Sequence, residues 1–157
     1  MIICMLTFVS DPLGRQVAIT SKAMTHWADQ LLASHGSSLT TWIVLQHVSR
    51  AAPPGLSQRE IAQNMSVGGP ALVRHLDRLQ DEGLLRRTRD NDDRRITRVT
   101  VTPKGRRHLD RLRVVMDAHD QAMRAELSST EVRALEKGLA KLAAYVDRTK
   151  PFETDVP

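Results

Sequence analysis

The chain has 157 residues, 41% hydrophobic and only 3% aromatic, so leucine and methionine must do most of the packing in what its length suggests is one domain of ordinary size. Its 23 Lys and Arg against 18 Asp and Glu leave a formal charge of +5, which favours a polyanionic partner but does not separate DNA from RNA or a membrane surface. A single cysteine, Cys4, excludes an intramolecular disulfide and a Cys-rich zinc site.

Residues 1–10 are apolar, lack a basic leading region and are too short to span a bilayer. They read as an N-terminal arm, and the cytoplasm is the default location. Residues 11–36 read as a helix that Asp11-Pro12 starts and His35-Gly36 ends. Leu13, Val17, Met24 and Leu31 recur along it at near-heptad spacing. A second helix is expected over 38–50, with Trp42, Leu45 and Val48 on one side. Pro53-Pro54-Gly55 then forces a turn.

Residues 57–105 carry the strongest pattern. Ser57 and Glu60 form an S-x-x-E capping box at the start of a short helix whose apolar side is Ile61, Ala62 and Met65. Ser66-Val67-Gly68-Gly69 breaks it, and Pro70 suits the first position of the next helix. That helix buries Leu72, Leu76 and Leu79 and stops at Gly83. Pro70, Ala71, Arg74 and Arg78 fall largely on its other side. Small residues there allow close approach to a groove, and an arginine one turn further in can reach the O6 and N7 of a guanine. Residues 84–89 and 95–102 read as two strands around the turn Asp90-Asn91-Asp92-Asp93, with Val99 and Val101 alternating against Arg98, Thr100 and Thr102. Arg94 and Arg95 stand just after this tip, and arginine fits a narrow minor groove. A carboxylate such as Asp93 beside them can hold a guanidinium in one orientation. Eleven cations from Arg86 to Arg113 crowd the hairpin and the helix after it, as phosphate binding by counterion release would require. The pattern is that of a winged helix-turn-helix that grips duplex DNA. Solvation alone also accounts for exposed arginines, and Asp81 and Glu82 can pair with Arg78.

Thr102-Pro103 opens a long helix with an apolar seam of Leu109, Leu112, Met116 and Met123. Ser128-Ser129-Thr130-Glu131 is a second capping box, ahead of a last helix whose Val132, Leu135, Leu139, Leu142 and Val146 step by three and four. The terminal helices carry more apolar surface than a small DNA-binding head can cover. A symmetric dimer, with the first and last two helices interlocked, is the expected solution. It would place two recognition helices about 34–36 Å apart, one turn of B-DNA, and so predicts a pseudo-palindromic site.

The run PALVRHLDRLQDEGLL, followed by DNDDRRITRVTVTPKG, resembles the MarR family of bacterial transcription regulators, and most closely its SlyA branch. The D-x-R wing signature of that family stands here within Asp92-Asp93-Arg94-Arg95, and Pro12-Leu13-Gly14 and Trp42-Ile43-Val44-Leu45 are similar to SlyA segments at about the same separation. The likeness covers roughly residues 11–145. It implies a mainly α fold with a small β-hairpin wing, flanked by N- and C-terminal dimerisation helices. The expected division is arm 1–10, dimerisation helix 11–36, DNA-binding region 37–102, dimerisation helices 103–149 and tail 150–157. Phosphate contacts are expected from Ser57, Gln58, Ser66, Arg86 and Lys104. The resemblance also implies release from DNA by a small phenolic or aromatic-acid ligand bound between the dimer helices and the head. Met24, His26, Trp27, Trp42 and His47 are candidate wall and rim residues, with the core as the competing place for Trp42.

Other classes fit less well. Gly14 stands where a peroxide-sensing cysteine would in the family, with Cys4 well upstream, and the six histidines are dispersed, which argues against a redox or metal switch and leaves a redox- or metal-responsive regulator as an alternative. No cofactor or catalytic residue is expected, for the chain has no phosphate-cradling glycine loop, H-E-x-x-H or nucleophile elbow. A low-specificity architectural DNA binder remains a competing function. So does a winged helix reused as a protein-interaction module, against which the retained arginines argue.

Overall fold

The computed structural model describes residues 11–65, 69–90 and 92–148. The order of elements is α1 (Leu13–Ala33), α2 (Leu39–Arg50), β1 (Leu56–Ser57), α3 (Gln58–Met65), α4 (Gly69–Asp81), β2 (Leu85–Arg89), β3 (Thr97–Val101), α5 (Pro103–Ala125) and α6 (Ser129–Arg148). This is the expected mainly α fold with a small antiparallel sheet. The chain divides into two compact units, one up to Val115 and one from Met116.

In the first unit, α1 starts later than its sequence suggests. Pro12 is the N-cap residue and offers no side-chain hydrogen bond, while its carbonyl accepts from the N–H groups of Arg15 (2.9 Å) and Gln16 (3.1 Å). The Asp11 carboxylate, expected as the cap, pairs instead with Arg15 four residues on. Helix α1 ends at Ala33, and Gly36 takes a φ of 69° just beyond it, a backbone region glycine enters at little cost. Ser38 caps α2 by accepting from the Thr41 N–H at 3.1 Å.

The helix-turn-helix and the wing share one core. Val44, Leu45 and Val48 of α2, Ile61 of α3, Leu72, Leu76 and Leu79 of α4, Leu84, Leu85, Val99, Val101 and Leu109 form a single buried cluster. Trp42 packs against it only in part, and the buried residue on that side of α2 is Thr41, at 2% exposure. Trp42, expected on the apolar side of α2, thus lies at the margin of the core. Thr41 and Val44, one turn apart, occupy that side together with Leu45 and Val48. The alternation read in the second strand holds, for Val99 and Val101 are buried.

The sheet has three strands in the order β1-β3-β2, all antiparallel. The third strand, β1, was not expected. It is two residues long, pairs Leu56 with Val99 and Ser57 with Arg98, and leads directly into α3. Helix α4 ends as expected, with Gly83 at a φ of 69°. Thr102 then ties α5 to that turn. Its hydroxyl donates to the Gly83 carbonyl (2.7 Å) and accepts from the Gly105 N–H (3.0 Å).

In the second unit, the Ser128–Glu131 capping box closes as predicted, with the Ser128 N–H on the Glu131 carboxylate at 2.8 Å and the Glu131 N–H on Ser128 Oγ at 3.3 Å. Arg124 bridges Asp120 and Glu136 across the turn before α6. No residue described in α6 is buried, and Leu135, Leu139, Tyr145 and Val146 are all about half exposed or more. No helix among the described residues is long and apolar enough to cross a membrane.

Candidate nucleic-acid interface

Helix α4 presents two faces. Leu72, Leu76 and Leu79 fix one in the core, which turns Pro70, Ala71, Arg74 and Arg78 outward. The first three are exposed, and the Arg74 side chain makes no hydrogen bond or ion pair with the described residues. Arg78 is also half exposed, but its guanidinium is engaged within the protein. Nη1 donates to Glu82 Oε1 at 2.9 Å, and Nη2 donates to Thr41 Oγ1 at 3.1 Å and lies 3.2 Å from His75 Nδ1. Burial first, then the adjacent Arg78 cation, hold the His75 imidazole below the usual histidine range, against a smaller opposing pull from Glu82.

The wing is anchored to the helices by its arginines. Arg87 of β2 reaches Asp77 of α4 at 2.5 Å and the Val73 carbonyl at 3.4 Å. Arg98 of β3 donates to Asp90 at 2.5 Å and to Glu60 of α3 at 3.4 Å. Glu60 is the same residue that closes the capping box, accepting from the Ser57 N–H at 2.6 Å while its own N–H reaches Ser57 Oγ at 3.2 Å. The Ser57 hydrogen bonds lead the causes that hold the Glu60 carboxyl below its ordinary range.

Asp90 builds the wing tip. Its Oδ1 accepts from the N–H groups of Asp92 (2.9 Å) and Asp93 (3.1 Å), and its Oδ2 takes Arg98. The sequence suggested that a carboxylate beside Arg94 or Arg95 would orient a guanidinium. The carboxylate–guanidinium pair found is Asp90 with Arg98, and Asp93 instead accepts the backbone N–H of Arg95 at 2.9 Å. Arg89 secures the other side of the tip by donating to the Arg94 carbonyl at 2.9 Å. The side chains of Arg94 and Arg95 are left exposed beside this scaffold. An Asp followed by two backbone N–H groups is an Asx-turn signature, so the Asp90 half of the pair had a local signal. The Arg98 half depends on the strand register.

The Arg98 hydrogen bond and the two backbone N–H groups hold the Asp90 carboxyl down to about 2. A depressed carboxyl stabilises the fold fully above its unfolded value of about 3.9, and that contribution is lost as pH falls through the folded value. Asp90→Asn is therefore expected to flatten the fall in stability between about pH 4 and pH 2. Urea midpoints measured in steps through that window for both proteins check it; parallel curves would remove Asp90 from the account.

The phosphate candidates fall into two groups. The Arg86 side chain is exposed and makes no hydrogen bond or ion pair with the described residues, and Gln58 is partly exposed at the start of α3. Ser57 is committed to the capping box, and the Lys104 ammonium donates to the Glu82 carbonyl at 2.7 Å, where it covers the C-terminal end of α4. Ser66 lies outside the described residues. Ser57, Gln58 and Arg59 face Arg95, Ile96 and Thr97 across a cleft of about 300 Å³, which brings the start of α3 and the base of the wing together.

The five effector candidates do not converge on one cavity among the described residues. Met24, His26 and Trp27 are exposed on α1. Trp42 lies against the core, and His47 Nδ1 is 3.3 Å from the Ile43 carbonyl of its own helix. His26 does line a cleft of about 430 Å³, with Lys22, Thr25, Asp29, Leu39 and Thr40. There the Asp29 carboxylate accepts the Leu39 N–H at 2.8 Å. No group of three or more His, Cys, Asp or Glu able to hold a metal occurs among the described residues.

Residues 35–96 match the MarR family. The chain is similar to a structure of S. aureus MepR in complex with DNA, at 22% identity and a TM-score of 0.77, over 87% of this chain and 99% of that one. It is similar to wild-type MarR of E. coli in its apo form, at 26% identity and a TM-score of 0.74, over 84% and 96%. It is also similar to the transcriptional regulator BldR of Sulfolobus solfataricus, at 26% identity and a TM-score of 0.74, over 85% and 94%. Residues 35–96, which hold the helix-turn-helix and most of the wing, thus match the MarR family, in a chain whose fold is similar to that of MarR-type regulators.

Proposed function

We propose that the protein is a sequence-specific, DNA-binding transcription regulator of MarR type that acts as a homodimer. One observation carries the reading. Arg74 is exposed and uncommitted on the outer face of a helix whose inner face is locked in the core, behind the small residues Pro70 and Ala71. An arginine presented this way can donate two hydrogen bonds to a guanine edge. Arg94 and Arg95 would enter the adjacent minor groove, and Arg86 and Gln58 would contact phosphates. The similarity to MepR, whose structure was solved with DNA, supports the same partner here.

The second copy is supported by exposed apolar residues on α1, including Leu13, Val17, Met24 and Trp27, and separately by those of α6. Surfaces of this kind are what an obligate dimer covers. Release by a small aromatic acid belongs to the same proposal. Lys22, Thr25 and His26 supply cationic and hydroxyl partners for a carboxylate in the cleft beside Leu39. The SlyA-like branch rests on the wing and recognition-helix residues quoted above.

Selection from a random duplex pool at physiological salt, followed by sequencing, tests this function. A pseudo-palindrome with half-sites one helical turn apart is the expected recovery. Only A/T-rich, unphased DNA would favour the architectural reading, and nothing above background would favour a protein-interaction module.

A further inference from the structure

Thr41 is nearly inaccessible, at 2% exposure, and sits on α2, yet its hydroxyl is in contact with the recognition helix. Ser38 Oγ caps α2 and donates to Thr41 Oγ1 at 3.0 Å. The same oxygen accepts from Arg78 Nη2 at 3.1 Å. Arg78 is held on its other side by Glu82 at 2.9 Å, one turn ahead and just beyond its helix. His75 Nδ1 of the same helix also lies 3.2 Å from Nη2, so among the described residues Thr41 is the one of three groups around this guanidinium that comes from outside the segment 75–82. A planar donor with fixed geometry transmits that constraint to the helix that carries it. The leucines of α4 lock its inner face in the core; apolar contacts are non-directional, so a directional bond can still set the fine roll of the helix. A hydrogen bond to a guanidinium is directional.

We infer that Thr41 is a positioning residue for DNA recognition: by seating Arg78, it fixes the roll of α4 and so the aim of Arg74. The inference rests on the proposed DNA function and gives Arg78 a role other than base contact. It also connects two places in the chain. Leu39 and Thr40, which line the cleft beside His26, immediately precede Thr41 in the first turn of α2. A shift of that turn reaches the recognition helix through one hydroxyl.

Because Thr41 is buried, it cannot touch DNA, so any effect of its hydroxyl on binding is transmitted. The test uses full-length protein with Thr41→Val, which keeps the shape and removes the hydroxyl, Thr41→Ser, which keeps the hydroxyl, and Arg78→Lys, which keeps the charge but not the fork. Affinity is measured on the selected duplex and on a scrambled one, with melting temperature recorded for each variant. Thr41→Val and Arg78→Lys are each expected to lose about tenfold in affinity for the selected duplex. They should lose little on scrambled DNA, and their combination should lose no more than either alone. Thr41→Ser should bind as wild type does. Losses that multiply in the double variant, or an unchanged preference in Thr41→Val, would overturn the inference while leaving the DNA function standing. Should Thr41→Val fail to fold, Arg78→Lys decides: wild-type discrimination in that variant overturns the inference. A wild-type protein with no preference between the duplexes overturns both.

Discussion

Arg74→Ala is expected to cost about 1–3 kcal/mol of binding to the cognate duplex and to relax specificity at one base pair in each half-site. The expectation follows from how the side chain is held. Its helix is fixed by three leucines that are each no more than 2% exposed, so the arginine is presented on a rigid element rather than a loop. The nearest acidic residue on its helix, Asp77, is engaged by Arg87, and Glu82 just beyond the helix is engaged by Arg78. On the proposed function, Arg74 would reach the groove without first giving up a partner among the described residues. The measurement is competition binding of wild type and variant against every single-base change in the half-site. A base contact predicts that the variant loses discrimination at one position and keeps it elsewhere. Equal loss on cognate and scrambled DNA, with the salt slope reduced by about one, would make Arg74 a phosphate contact.

Gly105→Ala is expected to destabilise the fold by about 3 kcal/mol, at the upper end of overpacking effects. A Cβ at Gly105 would stand 2.1 Å from the Leu84 carbonyl oxygen and 2.9 Å from Val101 Cγ1. The first neighbour is backbone and cannot rotate away. It also accepts from the Thr102 N–H at 3.1 Å and lies 3.2 Å from the Thr102 hydroxyl, so displacing it disturbs the turn that joins β3 to α5. Leu84 and Val101 are both in the shared core, so the strain spreads to the wing. Urea denaturation should show a lower midpoint with an unchanged slope. A midpoint equal to wild type would mean that the first turn of α5 is not pressed against Leu84.

Local rules carried much of the fold. Both capping boxes, the glycine stop at Gly83 and the alternation at Val99 and Val101 depend on neighbours within a few residues, and each is readable in the sequence. The strand β1 was not, because Leu56-Ser57 is too short to show periodicity and becomes a strand only through pairing with β3. Thr41 was not legible because it is a polar residue beside the apolar set Trp42, Leu45 and Val48, and only its contact with Arg78, distant in sequence, explains its burial. At the candidate interface, the outward face of α4 was legible from the leucines opposite it. Which arginines were already engaged was not, since Arg78 finds Thr41 from 37 residues away and Arg98 finds Glu60 from 38.

Ser57 belongs to two structures at once, the last residue of β1 and the residue whose side chain closes the box on α3. Its amide hydrogen points to Glu60, and Glu60 also holds Arg98 of the wing. That amide therefore cannot exchange with solvent by fraying of the helix start alone without also disturbing the wing's attachment. Its exchange rate is a single-site reporter of how firmly wing and recognition unit move as one body. Slowing of that one amide on DNA binding would record the closing of the grip from a residue that never has to meet a base.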